Sequence, residues 1–355
     1  MPDPLIRNRP GKSKSPDVPA RFFAGLPKIR HPGLAFRSEA GESDPDVRSR
    51  ECLPVRTAIT YAARMATSRY EAPTSIAGAL RLLAAGPDAM VLAGGTDLLV
   101  QYQSGAHRPT TFVDVKRIPE LMQISAGEDE VTIGGAVSAA DICAHPVIRA
   151  CWPGLVDAVR LIGSTQIQAR GSLGGNLCNG SPAADSTCAL MVNQAVVLIT
   201  GVAGERQVPV EAFVVAPGKT VLAPGELLVS LRFLRPTIRT ADAYQRLIPR
   251  SEMDIAVVGV AVSVTLDASG TCVAARVALA AVAPTPMLVP DAGAALVGTR
   301  LDEDALAHAA AAASRAARPI DDRRGTVAYR RHVAGVLTRR AVLRARDRVQ
   351  DGRGN

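Results

Sequence analysis

The sequence predicts an α+β chain built in successive segments behind a basic, proline-rich N-terminal stretch. Three observations predict it. Apolar sequence breaks abruptly into glycine-rich segments at residues 91–97 and 163–186. Helical spacing of apolar residues recurs before and between those segments. The last third reads as two β-rich runs joined by a tight turn and followed by two helices.

At 355 residues the chain has room for two or three domains and a substantial core. Hydrophobic residues make up 47% and aromatics only 3%, so that core is built from Ala, Val and Leu. No apolar run reaches the roughly 18 residues needed to span a bilayer. The net charge of +8 invites a nucleic-acid reading, but residues 1–64 alone hold 12 basic and 7 acidic residues. Most of the excess is therefore a tail, and nucleic acid is not an expected partner. The tail lacks periodic hydrophobicity and reads as disordered. It is expected to be an upstream extension from a start codon set too early, with Met65 opening the usual sequence; a regulatory arm is the alternative. It shows no secretory or twin-arginine signal. The six cysteines (52, 143, 151, 178, 188 and 272) form no CxxC and no zinc or iron–sulfur spacing. They read as small buried residues in a reducing, cytoplasmic compartment.

In order from Met65, Pro73-Thr74-Ser75 starts a helix with Ile76, Ala79, Leu80 and Leu83 on one face. Residues 91–93 and 111–115 are strands flanking the first glycine loop. A second subdomain begins near Val131-Thr132-Ile133, and residues 141–148 start a helical section. Residues 152–162 form an amphipathic helix, with Leu155, Val159 and Ile162 aligned. Residues 195–200 and 206–210 are strands joined at Gly201 and Gly204, and residues 227–233 are another strand. The third part begins near Ala241. It has strands at 255–266 and 272–282 across the turn Asp267-Ala268-Ser269-Gly270. Asp302 caps an alanine-rich helix ending before Pro319. A final helix turns Val333, Val336, Leu337 and Leu343 to one side and Arg330, Arg331, Arg339 and Arg346 largely elsewhere, as a solvated face.

Residues 163–186 read as a long loop, because each glycine costs a helix about 1 kcal/mol and paired Gly174-Gly175 weakens a strand. A loop of that length inside a compact domain serves a function. Glycines let backbone N–H groups reach a ligand, and Ser172, Asn176 and Asp185 add polar side chains. The first element, Val91-Leu92-Ala93 leading into Gly94-Gly95-Thr96-Asp97 and then Leu98, is a buried strand delivering a glycine turn, the way α/β folds present amides to phosphate. It is neither GxGxxG nor a nucleotidase loop. Together the two segments suggest a cofactor held between two subdomains; a pair of ligand-free surface turns is the plain alternative.

VLAGGTDLLVQ followed by RGSLGGNLCNGSPAADS resembles the FAD-binding subunits of molybdenum hydroxylases. Matches continue through IGGAVSAADI, RSEMDIAVVGVAV, ALAAVAPTP and the Pro319-Ile320-Asp321-Asp322 to Tyr329-Arg330-Arg331 stretch. The resemblance implies a two-subdomain FAD-binding domain of the PCMH (vanillyl-alcohol-oxidase-like) type over 65–240, divided near 125. A C-terminal α+β domain with a small antiparallel sheet and helices follows over 241–347, and 348–355 is a tail. It implies non-covalent FAD, since neither glycine segment carries a histidine. Residues 91–98, Ser172, Gly174, Gly175 and Asn176 would line the cofactor, with Asp185 at its hydroxyls and Leu228 against the flavin. Arg246 would sit near the isoalloxazine carbonyls, or else be a surface charge. Molybdopterin and two [2Fe–2S] clusters are expected on a large and a small partner subunit, in a dimer of heterotrimers. Electrons would enter this FAD from the clusters and leave to an external acceptor. A free-standing flavin oxidase and a flavin-free scaffold are the competing readings. Cys178, Gly180 and Val137 depart from the family's usual residues.

Overall fold

The structure, a computed structural model, describes residues 68–236, 239–251 and 253–352; the expectation for residues 1–64 lies outside them. Helix α1 (Ile76–Ala84) starts where the sequence places it, with the Ser75 hydroxyl accepting the Gly78 amide and so satisfying a first-turn donor. Strands β1 (Arg69–Glu71), β2 (Ala89–Leu92) and β3 (Thr111–Asp114) form a parallel sheet in the order β1–β3–β2. The exposed, polar β1 gave no pattern to read. The loop between β2 and β3 contains an unforeseen helix, α2 (Leu98–Ser104), whose Val100 is 61% exposed.

Next come α3 (Pro119–Met122), β4 (Ile124–Ala126) and β5 (Glu130–Gly134). A run of short helices follows: α4 (Ala139–Ala144), α5 (Pro146–Cys151), α6 (Pro153–Val159), α7 (Thr165–Gln168), α8 (Leu173–Cys178) and α9 (Asp185–Val192). Residues 163–186 are therefore not one long loop. Serine caps start the turns: Ser164 accepts the Ile167 amide, and Ser172 the Gly175 amide. The helical glycine Gly174 is required by packing, because a Cβ there would lie 2.4 Å from the Gly135 carbonyl oxygen.

Strands β6 (Val196–Gly201), β7 (Gly204–Pro209), β8 (Val214–Ala216), β9 (Lys219–Thr220) and β10 (Leu227–Leu234) complete this part. The main sheet is antiparallel in the order β4–β5–β10–β6–β7, and β8 pairs with β9. Central β10 is buried on both faces over most of its length, which explains why apolar residues fill it apart from Ser230 and Arg232. Leu227 and Val229 join the core under α1, while Leu228, Leu231 and Phe233 join the core around α6 and α9.

The third part is an antiparallel sheet of β11 (Thr240–Leu247), β12 (Val258–Leu266), β13 (Cys272–Ala280) and β14 (Met287–Leu288) in chain order. Asp267 closes the predicted hairpin by accepting the Ser269 and Thr271 amides. After α10 (Pro290–Ala294), helix α11 (Glu303–Ala316) is capped by Asp302 as expected. It packs with α12 (Val327–Gln350) on one sheet face, joining Val260, Val262 and Val264 to Ala309, Ala313, Leu337 and Ala341. The other face meets α9 through Tyr244, Ala261 and Ala278. One correction concerns the basic face of α12. Arg331 and Arg339 are exposed, but Arg330 is buried and donates to the Val257 and Ala281 carbonyls and to Asp322. Among the described residues no helix is long and apolar enough to cross a membrane.

Candidate functional site

The two glycine segments meet. A Cβ on Gly94 would fall 2.1 Å from the Arg170 carbonyl oxygen, so only glycine permits this approach. Gly95 has φ +76°, a conformation that L side chains rarely adopt. Gln101 Nε2 donates to Asn179 Oδ1 at 3.0 Å, and Asn179 Nδ2 to Asp97 Oδ1 at 3.3 Å, stitching α2 to the end of α8. Lys116, which sequence reasoning missed, ties down the base of the first turn. Its Nζ donates to the Ala93 carbonyl and to Asp114, each at 2.7 Å. Burial opposes ionisation of Asp114, yet hydrogen bonds from Lys116 and Tyr70 hold its pKa below the usual value.

The turn itself is a set of free donors. Among the described residues, the backbone N–H groups of Gly94, Gly95, Thr96 and Asp97 donate to no protein acceptor, and neither does that of Gly174. Gly174 is buried, Gly94, Gly95 and Thr96 are half-buried and Asp97 is exposed; the amides shielded from water call for an acceptor. The residues present therefore fit a pyrophosphate, which supplies several anionic oxygens. Val91, Leu92 and Ala93 deliver the turn, and Leu98 opens the helix behind it.

The remaining expected residues extend from there. Asn176 Oδ1 accepts the Ser186 hydroxyl at 2.7 Å, linking α8 to α9. Leu228 is buried and packs on Gly135, which in turn abuts Gly174. Asp185 and Arg246 were expected separately; the structure pairs them. Arg246 Nη1 lies 2.6 Å from one Asp185 oxygen, and the Tyr244 hydroxyl lies 2.7 Å from the other. The Arg246 side chain is only 5% exposed, which excludes the surface-charge reading. Burial pushes the Asp185 carboxyl up to about 6, against the opposing pull of Arg246 and Tyr244. At neutral pH the pair is thus an ionised, mutually compensated unit rather than a bare cation. Sequence alone gave no sign of the role of Tyr244, because its partner is 59 residues away.

These contacts link the two glycine segments to the start of α9, to Leu228 and to Arg246. Over residues 64–234 the chain matches the family described as FAD binding domain in molybdopterin dehydrogenase, and over 243–345 the CO dehydrogenase flavoprotein C-terminal domain. It is 35% identical to the carbon monoxide dehydrogenase medium chain of Afipia carboxidovorans, across 79% of this chain and 98% of that one. It is 30% identical to the xanthine dehydrogenase FAD-binding subunit of Escherichia coli O157:H7, across 78% of this chain and 95% of that one. The structure of reconstituted CO dehydrogenase from Oligotropha carboxidovorans superposes with a TM-score of 0.76 at 35% identity, covering 79% of this chain and 98% of that one. The chain belongs to the FAD-binding subunits of the molybdenum hydroxylases, the family of carbon monoxide dehydrogenase medium chains and xanthine dehydrogenase FAD-binding subunits.

Proposed function

We propose that this chain holds one non-covalent FAD along the joined glycine segments and serves as the electron exit of a heterotrimeric molybdopterin hydroxylase. The observation that carries the reading is the row of partnerless amides at residues 94–97, set against the second glycine segment at Arg170 and Gly171. Those amides, with the Gly174 amide, would hold the pyrophosphate. Ser172 shapes the α8 turn that presents Gly174, Gly175 and Asn176. Leu98 and Leu228 would supply apolar contact, and the Asp185–Arg246 pair would lie at the flavin. When bound, FAD supplies two-electron chemistry linking one-electron [2Fe–2S] donors on a small subunit to an external acceptor. Hydroxylation would take place at molybdopterin on a large subunit. The scaffold reading does not account for the partnerless amides of this turn.

The same proposal divides the chain into a PCMH-type FAD-binding domain at 65–240, with subdomains meeting near 125, and a C-terminal domain at 241–347. It places a dimer of such heterotrimers in the cytoplasm. Isolation of the native complex tests it: flavin and two [2Fe–2S] clusters per molybdenum are expected, with substrate bleaching the flavin only when all three subunits are present. A chain that purifies alone, flavin-loaded and turning over a substrate without molybdenum or iron, would establish the free-standing oxidase instead.

A further inference from the structure

Tyr244 and Arg246 stand two residues apart on β11 and so project from the same strand face. That face meets the first turn of α9, where each donates to one oxygen of Asp185. The phenol fits because residue 259 is glycine. Strand β12 sets Gly259 opposite Arg246, and a Cβ at 259 would lie 2.4 Å from the Tyr244 hydroxyl oxygen. That Cβ would also lie 3.3 Å from the Ala280 Cβ, so any side chain there must drive the hydroxyl away from Asp185.

We propose that Tyr244 is a positioning residue of the flavin site: its hydroxyl, admitted by Gly259, fixes the Asp185 carboxylate so that Asp185 and Arg246 face the flavin as one neutral pair. This rests on reading Asp185 and Arg246 as flavin contacts. A phenol donating to a carboxylate favours the ionised form. Without it, Asp185 takes a proton from solvent more readily, and the Arg246 charge is left uncompensated. Few other groups bear on this carboxylate. Cys188 follows on α9 itself, its thiol pushed up first by burial and then by Asp185. Asn176 and Ser186 are neutral. The Arg276–Glu211 pair and Asp242 act at the far end of α9, against Met191 and Asn193, about 9 Å along the helix axis from Asp185.

The test uses the full chain with bound FAD and the variants Tyr244→Phe, Gly259→Ala and their double. Three readouts are followed: the carbon-13 carboxyl titration of Asp185, assigned by Asp185→Asn; the pH titration of the flavin visible spectrum; and thermal melting. Tyr244→Phe is expected to fold, to raise the Asp185 midpoint by about one pH unit, and to move the flavin midpoint with it. Gly259→Ala, which keeps the tyrosine, shifts both midpoints the same way. In the double variant the alanine adds little, since the hydroxyl it displaces is already gone. An unmoved carboxyl midpoint in Tyr244→Phe overturns the positioning role, and strictly additive shifts overturn the part given to Gly259. A moved carboxyl midpoint with an unmoved flavin spectrum overturns instead the placement of the pair at the flavin.

Discussion

Replacement of Asp242 by alanine is expected to cost the fold about 3 kcal/mol at neutral pH, and more in mild acid. Helix α6 has no cap of its own: Trp152 precedes it without a side-chain acceptor and Pro153 occupies the first position. Asp242, brought in by β11, accepts the Gly154 amide at 2.6 Å and the Leu155 amide at 2.9 Å, the places an N-cap oxygen serves. It also accepts Asn193 Nδ2 at 2.7 Å, and it is 2% exposed. The two buried backbone donors, stripped of an acceptor, cost about 1–3 kcal/mol each, and the half-buried Asn193 amide adds at the low end of that range. Against this, burial raises the Asp242 carboxyl to about 6 despite those hydrogen bonds. Keeping it ionised therefore costs about 3 kcal/mol, which the alanine variant recovers. The net is a few kcal/mol, or a melting temperature lower by about 6–12 °C. The folded pKa lies above the unfolded one, so this group's stabilisation is full below about pH 4 and declines as pH rises through 6. The gap between wild type and variant should thus be wider at pH 5 than at pH 7; Asp185 shifts the same way in both proteins and cancels. Thermal melts by circular dichroism at the two pH values make the comparison. A melting point within a degree or two of wild type at pH 5 would refute the capping role.

Gly95→Val forces a β-branched residue to φ +76° and brings its Cβ within 3.0 Å of Leu99. It should lower FAD affinity at least about tenfold by displacing amide donors, and normal flavin occupancy in a folded variant would contradict the assignment. Asp185→Asn leaves the Arg246 charge uncompensated at pH 7 and should raise the flavin reduction potential by about 30 mV for each 1.4 kcal/mol of new interaction. The effect should fade below pH 6, where Asp185 of the wild type is itself protonated; a spectroelectrochemical titration showing equal potentials at pH 7 contradicts it. Arg330→Ala removes the donor to Val257, Ala281 and Asp322 and should cost about 3 kcal/mol in a denaturant titration, whereas loss of a solvated surface arginine would cost almost nothing.

What the sequence disclosed was local. Caps at Ser75 and Asp302 and the hairpin at Asp267 rest on neighbours within a few residues, and each appears where expected. That the two glycine segments come together was legible in their spacing and composition, and the approach of Gly94 to Arg170 shows that meeting. Their conformation was not. Gly174 counts against a helix by propensity, but the approach of Gly135 outweighs that preference. The pairing of Asp185 with Tyr244 and Arg246, the capping by Asp242 and the burial of Arg330 all depend on partners brought together only by the third sheet. Propensity and periodicity hold no information about such contacts. Short exposed elements such as β1 and α2 were missed for a different reason, since they bury no periodic face.

The most direct test of the central claim is the flavin content of the purified full-length chain. The account predicts a yellow protein with a flavin spectrum and one FAD per chain. All of the FAD should be released on acid denaturation, and the stripped protein should rebind it in a titration that saturates at one equivalent. A folded chain that is colourless as isolated and leaves added FAD free at saturating concentration would contradict the account, and the glycine segments would then be packing devices alone.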